Sequence, residues 1–136
     1  MAMSVPVPYA QNPEMDAGRR AVHEYHNCLG EPWDGPAALA FTDGVLCGAM
    51  LDRNGLRPAR YTVTKNGLLV LASETGVLDI APKDVATKGR LRPGQMLLVD
   101  TVAGRIIEDE TLKTQLAGQK PYAEWSRKGL CELGGL

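Results

Sequence analysis

The chain has 136 residues, 15 Lys or Arg against 16 Asp or Glu, and a formal net charge of −1. This length suits one domain with a real core, and the balanced charge gives no general attraction to nucleic acid or an anionic membrane. No apolar run approaches the roughly 20 residues of a membrane span, and the first residues lack the pattern of a signal peptide. Three cysteines without a CxxC pair predict a reduced, cytoplasmic protein.

The first predicted element is a helix. Residues 1–11 contain two prolines and no periodic pattern, which indicates an extended lead-in. Asn12 and Pro13 suit the cap and first turn of a helix over residues 13–29, with Gly30 as its stop. Apolar side chains recur at helical spacing along this stretch, at Met15, Val22, Tyr25 and Leu29.

Three β-hairpins are predicted next. AALAFT and VLCGAML flank an Asp-Gly turn, RYTVT and LLVLAS flank an Asn-Gly turn, and GQMLLVDT precedes GRIIED. The nearly continuous apolar runs favour strands that are covered on both faces. GVLDIAPKDVATKGRLRPG reads as a loop, and DETLKTQLAG and PYAEWSRKGL as short helices. The predicted fold class is α+β, with about six strands in antiparallel sheet layers and flanking helices.

Two groups of residues suggest chemistry, and each also has a plain explanation. His23, His26 and Cys28 could share a metal, but Cys47 and Cys131 do not supply a fourth ligand at a typical spacing, so helix-surface histidines are favoured. Cys47 is expected to be a small core thiol. Cys28 lies near a helix C-terminus, where the helix dipole disfavours thiolate.

Glycine-rich phosphate-binding patterns are absent from the sequence. KGRLRPG supplies Lys88, Arg90 and Arg92 without interleaved aromatic residues. This stretch is therefore predicted to be a solvated basic loop.

The most informative stretch is LDRNGLRPARY, residues 51–61. Its candidate residues are Asp52, Arg53, Asn54, Gly55, Arg57 and Pro58. The Asn-Gly pair predicts a tight turn, and Asp52 and Arg57 are expected to pair across its base. The loop could hold an anionic group of a substrate, or it could brace the turn. The residues alone leave both readings open.

Several long stretches resemble a known family in order and spacing. They are NPEMDAGRRAVHEYH, EPWDGPAALAFTDG, LDRNGLRPARY, LLVLASETGVLDI, KGRLRPGQMLLVDT and GRIIEDETLK. Over about residues 5–125 the chain resembles the glutaminase domain of glutamate synthase large chains. DRNGLRPAR is also similar to a segment found more widely in class II glutamine amidotransferases.

The resemblance implies an N-terminal-nucleophile hydrolase with an αββα sandwich. In that family a cysteine at the mature N-terminus hydrolyses glutamine. Its ammonia passes to a synthase region that holds FMN and an iron–sulfur cluster and makes glutamate from 2-oxoglutarate, a step of nitrogen assimilation.

This chain begins Met1-Ala2-Met3, and the family's nucleophile and glutamine-binding residues cannot be matched to it. The chain is therefore expected to be the carboxyl-terminal, structural part of the domain, over residues 12–125, with a tail at 126–136. We expect no catalytic, cofactor or metal residue in it, and no activity alone.

The alternative is a non-catalytic assembly module. Half a sandwich would leave an apolar sheet face uncovered, which is costly in water. Such a module is expected to self-associate or to bind the remaining part of glutamate synthase, and not to bind nucleic acid or membrane.

Overall fold

The fold places two antiparallel sheets face to face, with helices over one of them. A computed structural model describes residues 7, 9–30, 33 and 35–131. The predicted lead-in at 1–11 lies largely outside the described residues. Elements follow in the order α1 (Ala17–Asn27), β1 (Ala38–Thr42), β2 (Leu46–Leu51), β3 (Arg60–Thr64), β4 (Leu69–Ala72), a 3-10 turn (Pro82–Asp84), β5 (Val85–Arg90), β6 (Met96–Asp100), β7 (Arg105–Ile107), α2 (Asp109–Gly118) and α3 (Tyr122–Gly129).

The first sheet has the strand order β1-β2-β6-β7, and the second has β4-β3-β5. All pairings are antiparallel. The three predicted hairpins are confirmed as β1–β2, β3–β4 and β6–β7. Gly44 and Gly67 have φ of +96° and +87° in the first two turns, because these turns need the left-handed backbone that glycine adopts most readily.

The central strands of the first sheet, β2 and β6, are covered on both faces over most of their length. On one face, Met50, Met96 and Leu98 pack with Leu112 of α2. The other face packs against the second sheet, with apolar side chains from both sheets in one cluster: Ala49, Leu51, Leu97 and Ile106 from the first, Tyr61, Leu69 and Leu71 from the second, and Ala59 and Leu91 beside them. The prediction of strands covered on both faces therefore holds for β2 and β6 and is wrong for β3 and β4, whose sheet has one covered face.

The second sheet has one covered face only. Since Tyr61 points into the core, strand alternation turns its neighbours outward. The strand pairing places six residues on that outer face, namely Arg60, Thr62, Val70, Ala72, Lys88 and Arg90. The predicted apolar character of the uncovered face is wrong, because half of these six residues are cationic. Over the described residues this face has no covering helix.

The helix layer is held by side chains that link different helices. Tyr25 and His26 of α1 pack against Tyr122 and Trp125 of α3, with ring centroids 5.1–5.5 Å apart between the two helices. Arg19 of α1 donates to Glu110 Oε2 (2.7 Å) and Thr114 Oγ1 (3.2 Å) of α2. None of the described helices is long and apolar enough to cross a membrane.

The start of α1 differs from the prediction. The N-cap is Asp16, whose carboxylate accepts from the backbone N–H groups of Gly18 (2.9 Å) and Arg19 (3.2 Å). Asn12 instead accepts from Glu14 N–H at 3.1 Å within a turn that precedes the helix. A carboxylate can satisfy two free N–H groups and favours the positive end of the helix dipole, so Asp16 sets the start.

The predicted loop over residues 76–94 is also wrong, because it contains the 3-10 turn and β5. β5 lies at the edge of the second sheet and pairs only with β3. Most of its side chains are exposed, so the apolar alternation that marks a strand is missing. Gly89 lies under the Tyr61 ring, where a Cβ atom would fall 2.4 Å from the phenol oxygen.

Candidate functional site

The LDRNGLRPARY stretch forms one of two connections between the sheets. Residues 52–59 lead from β2 in the first sheet to β3 in the second, and residues 91–95 lead from β5 back to β6. Both connections lie at the same end of the sandwich. They are joined there by the backbone bond from Leu91 N–H to the Ala59 carbonyl, at 2.9 Å.

Asp52 is the centre of this junction. Its backbone carbonyl accepts from Gly55 N–H (3.1 Å) across the turn and from Gly94 N–H (2.8 Å) in the other connection. Its carboxylate Oδ2 accepts from Asn54 N–H at 3.0 Å. Gly55 has φ of +60°, and a Cβ atom there would lie 2.7 Å from Pro93 Cγ. The predicted tight turn is confirmed, and its glycine is required both by the backbone and by contact with the second connection.

The expected pair between Asp52 and Arg57 is wrong. Asp52 is only 2% exposed, whereas the Arg57 side chain is exposed, and the ion pairs of the described chain do not include them. The buried carboxylate accepts from Asn54 N–H instead, and its Oδ1 has no hydrogen-bond partner among the described residues. Arg57 lines a shallow groove beside β1, together with Trp33 and residues 35–39.

Five arginines surround this end of the sandwich, and we call them the arginine surface: Arg53, Arg57, Arg60, Arg90 and Arg92. All five are exposed, and none forms an ion pair with a described residue. Arg60 and Arg90 lie directly opposite each other on paired strands. Like charges at such a position repel, so the arrangement costs stability unless an anion binds there.

The sequence alone did not predict that these five arginines lie at the same end of the sandwich. It placed Arg53 and Arg57 in a site motif, and Arg90 and Arg92 in a separate basic loop. One signal was present, since each connection contains the tripeptide Leu-Arg-Pro, at residues 56–58 and 91–93.

Comparison with known proteins decides the family. The family model of class-II glutamine amidotransferases matches residues 1–125. The chain belongs to the class-II glutamine amidotransferases. It is 50% identical over 131 residues to the glutamate synthase [NADPH] large chain of Bacillus subtilis (strain 168), covering 96% of this chain and 9% of that protein.

Two further relatives carry the same name in other forms. The chain is 54% identical over 106 residues to the ferredoxin-dependent glutamate synthase of Antithamnion sp., covering 78% of the chain and 7% of the relative. It is 45% identical over 127 residues to the glutamate synthase [NADH] of Saccharomyces cerevisiae, covering 93% and 6%. The chain therefore spans under a tenth of the length of these relatives, and the resemblance to glutamate synthase is confirmed.

The histidines of this amidotransferase chain are partly buried within the helix layer rather than lying on its surface. His26 Nδ1–H donates to the Val22 carbonyl at 2.7 Å, and the His23 ring stacks near Tyr9 with centroids 6.2 Å apart. Burial lowers the pKa of His23, with further lowering from the positive charges of Lys113 and His26. Groups of three metal-ligating side chains do not occur among the described residues.

The three cysteines of the amidotransferase chain are free and exposed. The prediction that Cys47 is a core thiol is wrong: its side chain is exposed and lies 3.5 Å from Oγ1 of Thr42, its partner on the neighbouring strand. Cys28 donates its S–H to the Glu24 carbonyl at 3.3 Å. Among the described residues, neither thiol has a hydrogen bond to a basic side chain, which is one of the contacts that activate a cysteine nucleophile.

Proposed function

We propose that this chain is the carboxyl-terminal part of the glutaminase domain of a glutamate synthase, with a structural role in glutamine hydrolysis. The observation that carries the proposal is 50% identity over 96% of the chain to a glutamate synthase large chain of which it covers 9%. The complete domain is then an N-terminal-nucleophile sandwich. The described helix–sheet–sheet arrangement supports this proposal, because such a sandwich has the same three layers and a further helix layer.

In this role the chain supports the site without touching the scissile amide. Hydrolysis of glutamine through a covalent intermediate needs an activated nucleophile. Cys28 and Cys47 lack an activating base, and Cys28 donates to a carbonyl at the end of α1. The nucleophile is therefore assigned to another part of the enzyme. Ammonia released there serves glutamate synthesis from 2-oxoglutarate, in the cytoplasm.

The cofactors implied by the family do not fit this chain. An iron–sulfur cluster needs several thiolates that converge on it. Here Cys28 follows α1, Cys47 lies on β2 and Cys131 follows α3. The sequence also contains no glycine-rich phosphate-binding pattern for FMN. Both groups are assigned to the synthase region, and none of the residues described above acts on them.

Complementation tests the proposal. The purified chain alone is expected to release no ammonia from glutamine. Mixed with the amino-terminal glutaminase segment of the Bacillus subtilis large chain, it is expected to restore hydrolysis. Glutamine hydrolysis by the chain alone that is lost in Cys28→Ser or Cys47→Ser would place the nucleophile here and refute the structural role.

The second candidate function is self-association through the outer face of the second sheet. The half-buried Val70 and Ala72 on that face favour a covering surface. Arg60, Lys88 and Arg90 oppose it, because a face-to-face dimer would bring these cations against their own copies. Sedimentation of the purified chain separates the two candidates, since a concentration-dependent dimer supports self-association.

A further inference from the structure

Charge is unevenly distributed along the chain. Residues 52–95, which form the second sheet and both connections, contain eight Lys or Arg and four Asp or Glu, although the whole chain has a net charge of −1. Five of these eight cations make up the arginine surface at one end. The positive charge of this segment is therefore concentrated at the end where the two connections lie, although Arg92 also lines a depression with Glu108, Asp109 and Glu110.

The composition of the arginine surface is typical of a protein interface. Arginine binds carboxylates through a planar, two-pronged hydrogen-bonding group, and it is enriched with tryptophan at the energetic centres of interfaces. Leu56 is 70% exposed within the first connection, and Trp33 is 53% exposed in the groove beside Arg57. These apolar side chains add contact area next to the charges.

Other occupants fit less well. A second copy of this face would repeat the same positive charge. Single-stranded nucleic acid is bound by successive aromatic platforms, and the only aromatic residue on β3 to β5, Tyr61, points into the core. A small anion needs a concave site, whereas Arg60 and Arg90 lie on an open sheet face.

Resting on the proposed function, we infer that the arginine surface docks a carboxylate-rich segment from the remaining part of the glutaminase domain. The bound acidic side chains neutralise the repulsion between Arg60 and Arg90 and contact both connections at once. Relatives more than ten times longer than this chain have the additional polypeptide from which such a segment would come.

The test measures binding of the amino-terminal glutaminase segment of the Bacillus subtilis large chain by calorimetry at low and high salt. The double variant Arg60→Glu/Arg90→Glu is expected to bind at least about tenfold more weakly. The neutral variant Arg60→Gln/Arg90→Gln is expected to fall between it and the unmodified chain. The matched control, Lys65→Glu/Lys83→Glu, changes the charge equally at the opposite end of the same sheet and is expected to bind within about threefold of the unmodified chain. Far-ultraviolet circular dichroism verifies that each variant is folded.

Each outcome has one meaning. Association that is equally strong in the arginine variants, or equally weakened in the lysine control, overturns the inference and leaves the proposed function intact. If the two pieces neither associate nor restore hydrolysis, the proposed function fails and the inference fails with it. Poly-L-glutamate is expected to compete for the surface. Stronger competition by a single-stranded oligonucleotide would assign the surface to nucleic acid instead.

Discussion

Substitution of Gly55 by alanine tests whether the two connections between the sheets pack as one unit. Gly55 has φ of +60°, and a Cβ atom there would lie 2.7 Å from Pro93 Cγ and 3.0 Å from Pro93 Cα. The left-handed backbone alone costs an alanine about 1–2 kcal/mol. Overlap with a packed neighbour adds about 1–3 kcal/mol, because Pro93 Cα belongs to the backbone and cannot rotate away.

The matched control is Gly104→Ala in the β6–β7 turn. Gly104 has φ of +62°, and a Cβ atom there meets nothing within 4 Å. Both variants share the backbone cost and the reduced freedom of the unfolded chain, so their difference isolates the contact with Pro93. We expect Gly55→Ala to lose about 1–3 kcal/mol more than Gly104→Ala, or roughly 4–12 °C in Tm.

Urea unfolding followed by circular dichroism supplies the two free energies of unfolding, and calorimetry supplies the two Tm values. Equal losses in the two variants would refute the reasoning, because Gly55 would then be required only for its backbone conformation. A Pro93→Ala background gives a further check. In it, the additional cost of Gly55→Ala is expected to shrink.

Three other predictions concern single side chains. Asp52→Ala is expected to lower the free energy of unfolding by about 1 kcal/mol, because the hydrogen bond to the turn is lost. Arg57→Ala should change that free energy by less than about 0.5 kcal/mol, because Arg57 forms no ion pair with a described residue. Equal costs of the two substitutions in urea unfolding would support an ion pair between Asp52 and Arg57. The folded-state pKa of His23 lies below its usual 6.5, so the stability that neutral His23 contributes is fully present above that pH and is lost as pH falls below it. In His23→Gln the unfolding midpoint should therefore depend less steeply on pH between about pH 7 and 5. An unchanged dependence of the midpoint on pH contradicts this prediction. Gly89→Ala should cost about 1–3 kcal/mol, and a double-mutant cycle should show a smaller cost in a Tyr61→Leu background; the same cost in both backgrounds would exclude the contact with the ring.

Local signals in the sequence predicted most of the secondary structure. The Asp-Gly turn before Val45 and the Asn-Gly turn before Leu68 each determine a short antiparallel hairpin, because these dipeptides adopt the required backbone with little cost. β5 was not predicted because it is an edge strand with mostly exposed side chains. Its one position under the Tyr61 ring is Gly89, which has no side chain to mark a buried strand face.

The candidate site could be predicted only in part. The turn at Asn54 and Gly55 follows from residue types that are neighbours in sequence. The partner of Asp52 does not, because its carboxylate and carbonyl both bind backbone N–H groups, and one of these belongs to Gly94. Every residue except proline has a backbone N–H group, so the sequence does not show which of these groups Asp52 binds. The opposite charges of Asp52 and Arg57 are visible in the sequence, and they predicted an ion pair that does not form.

The clustering of arginines required knowledge of the topology. Arg60 and Arg90 are 30 positions apart, and only the pairing of β3 with β5 makes them neighbours. Long-range strand pairing depends on which faces are buried together, and the polar pattern of β5 gave little information about that.

The positions of the two connections also determine where the chain can be interrupted. Within the described part of the chain, the backbone passes between the sheets only at residues 52–59 and 91–95, both at one end. At the opposite end, the hairpin turns after β1 and β3 join strands within a single sheet. A protease cut or an inserted domain at those turns leaves both sheets attached to each other, whereas a break within 52–59 leaves a single covalent link. The far turns are therefore the natural places to attach probes or fusion partners, and fraying of the sandwich is expected to start there.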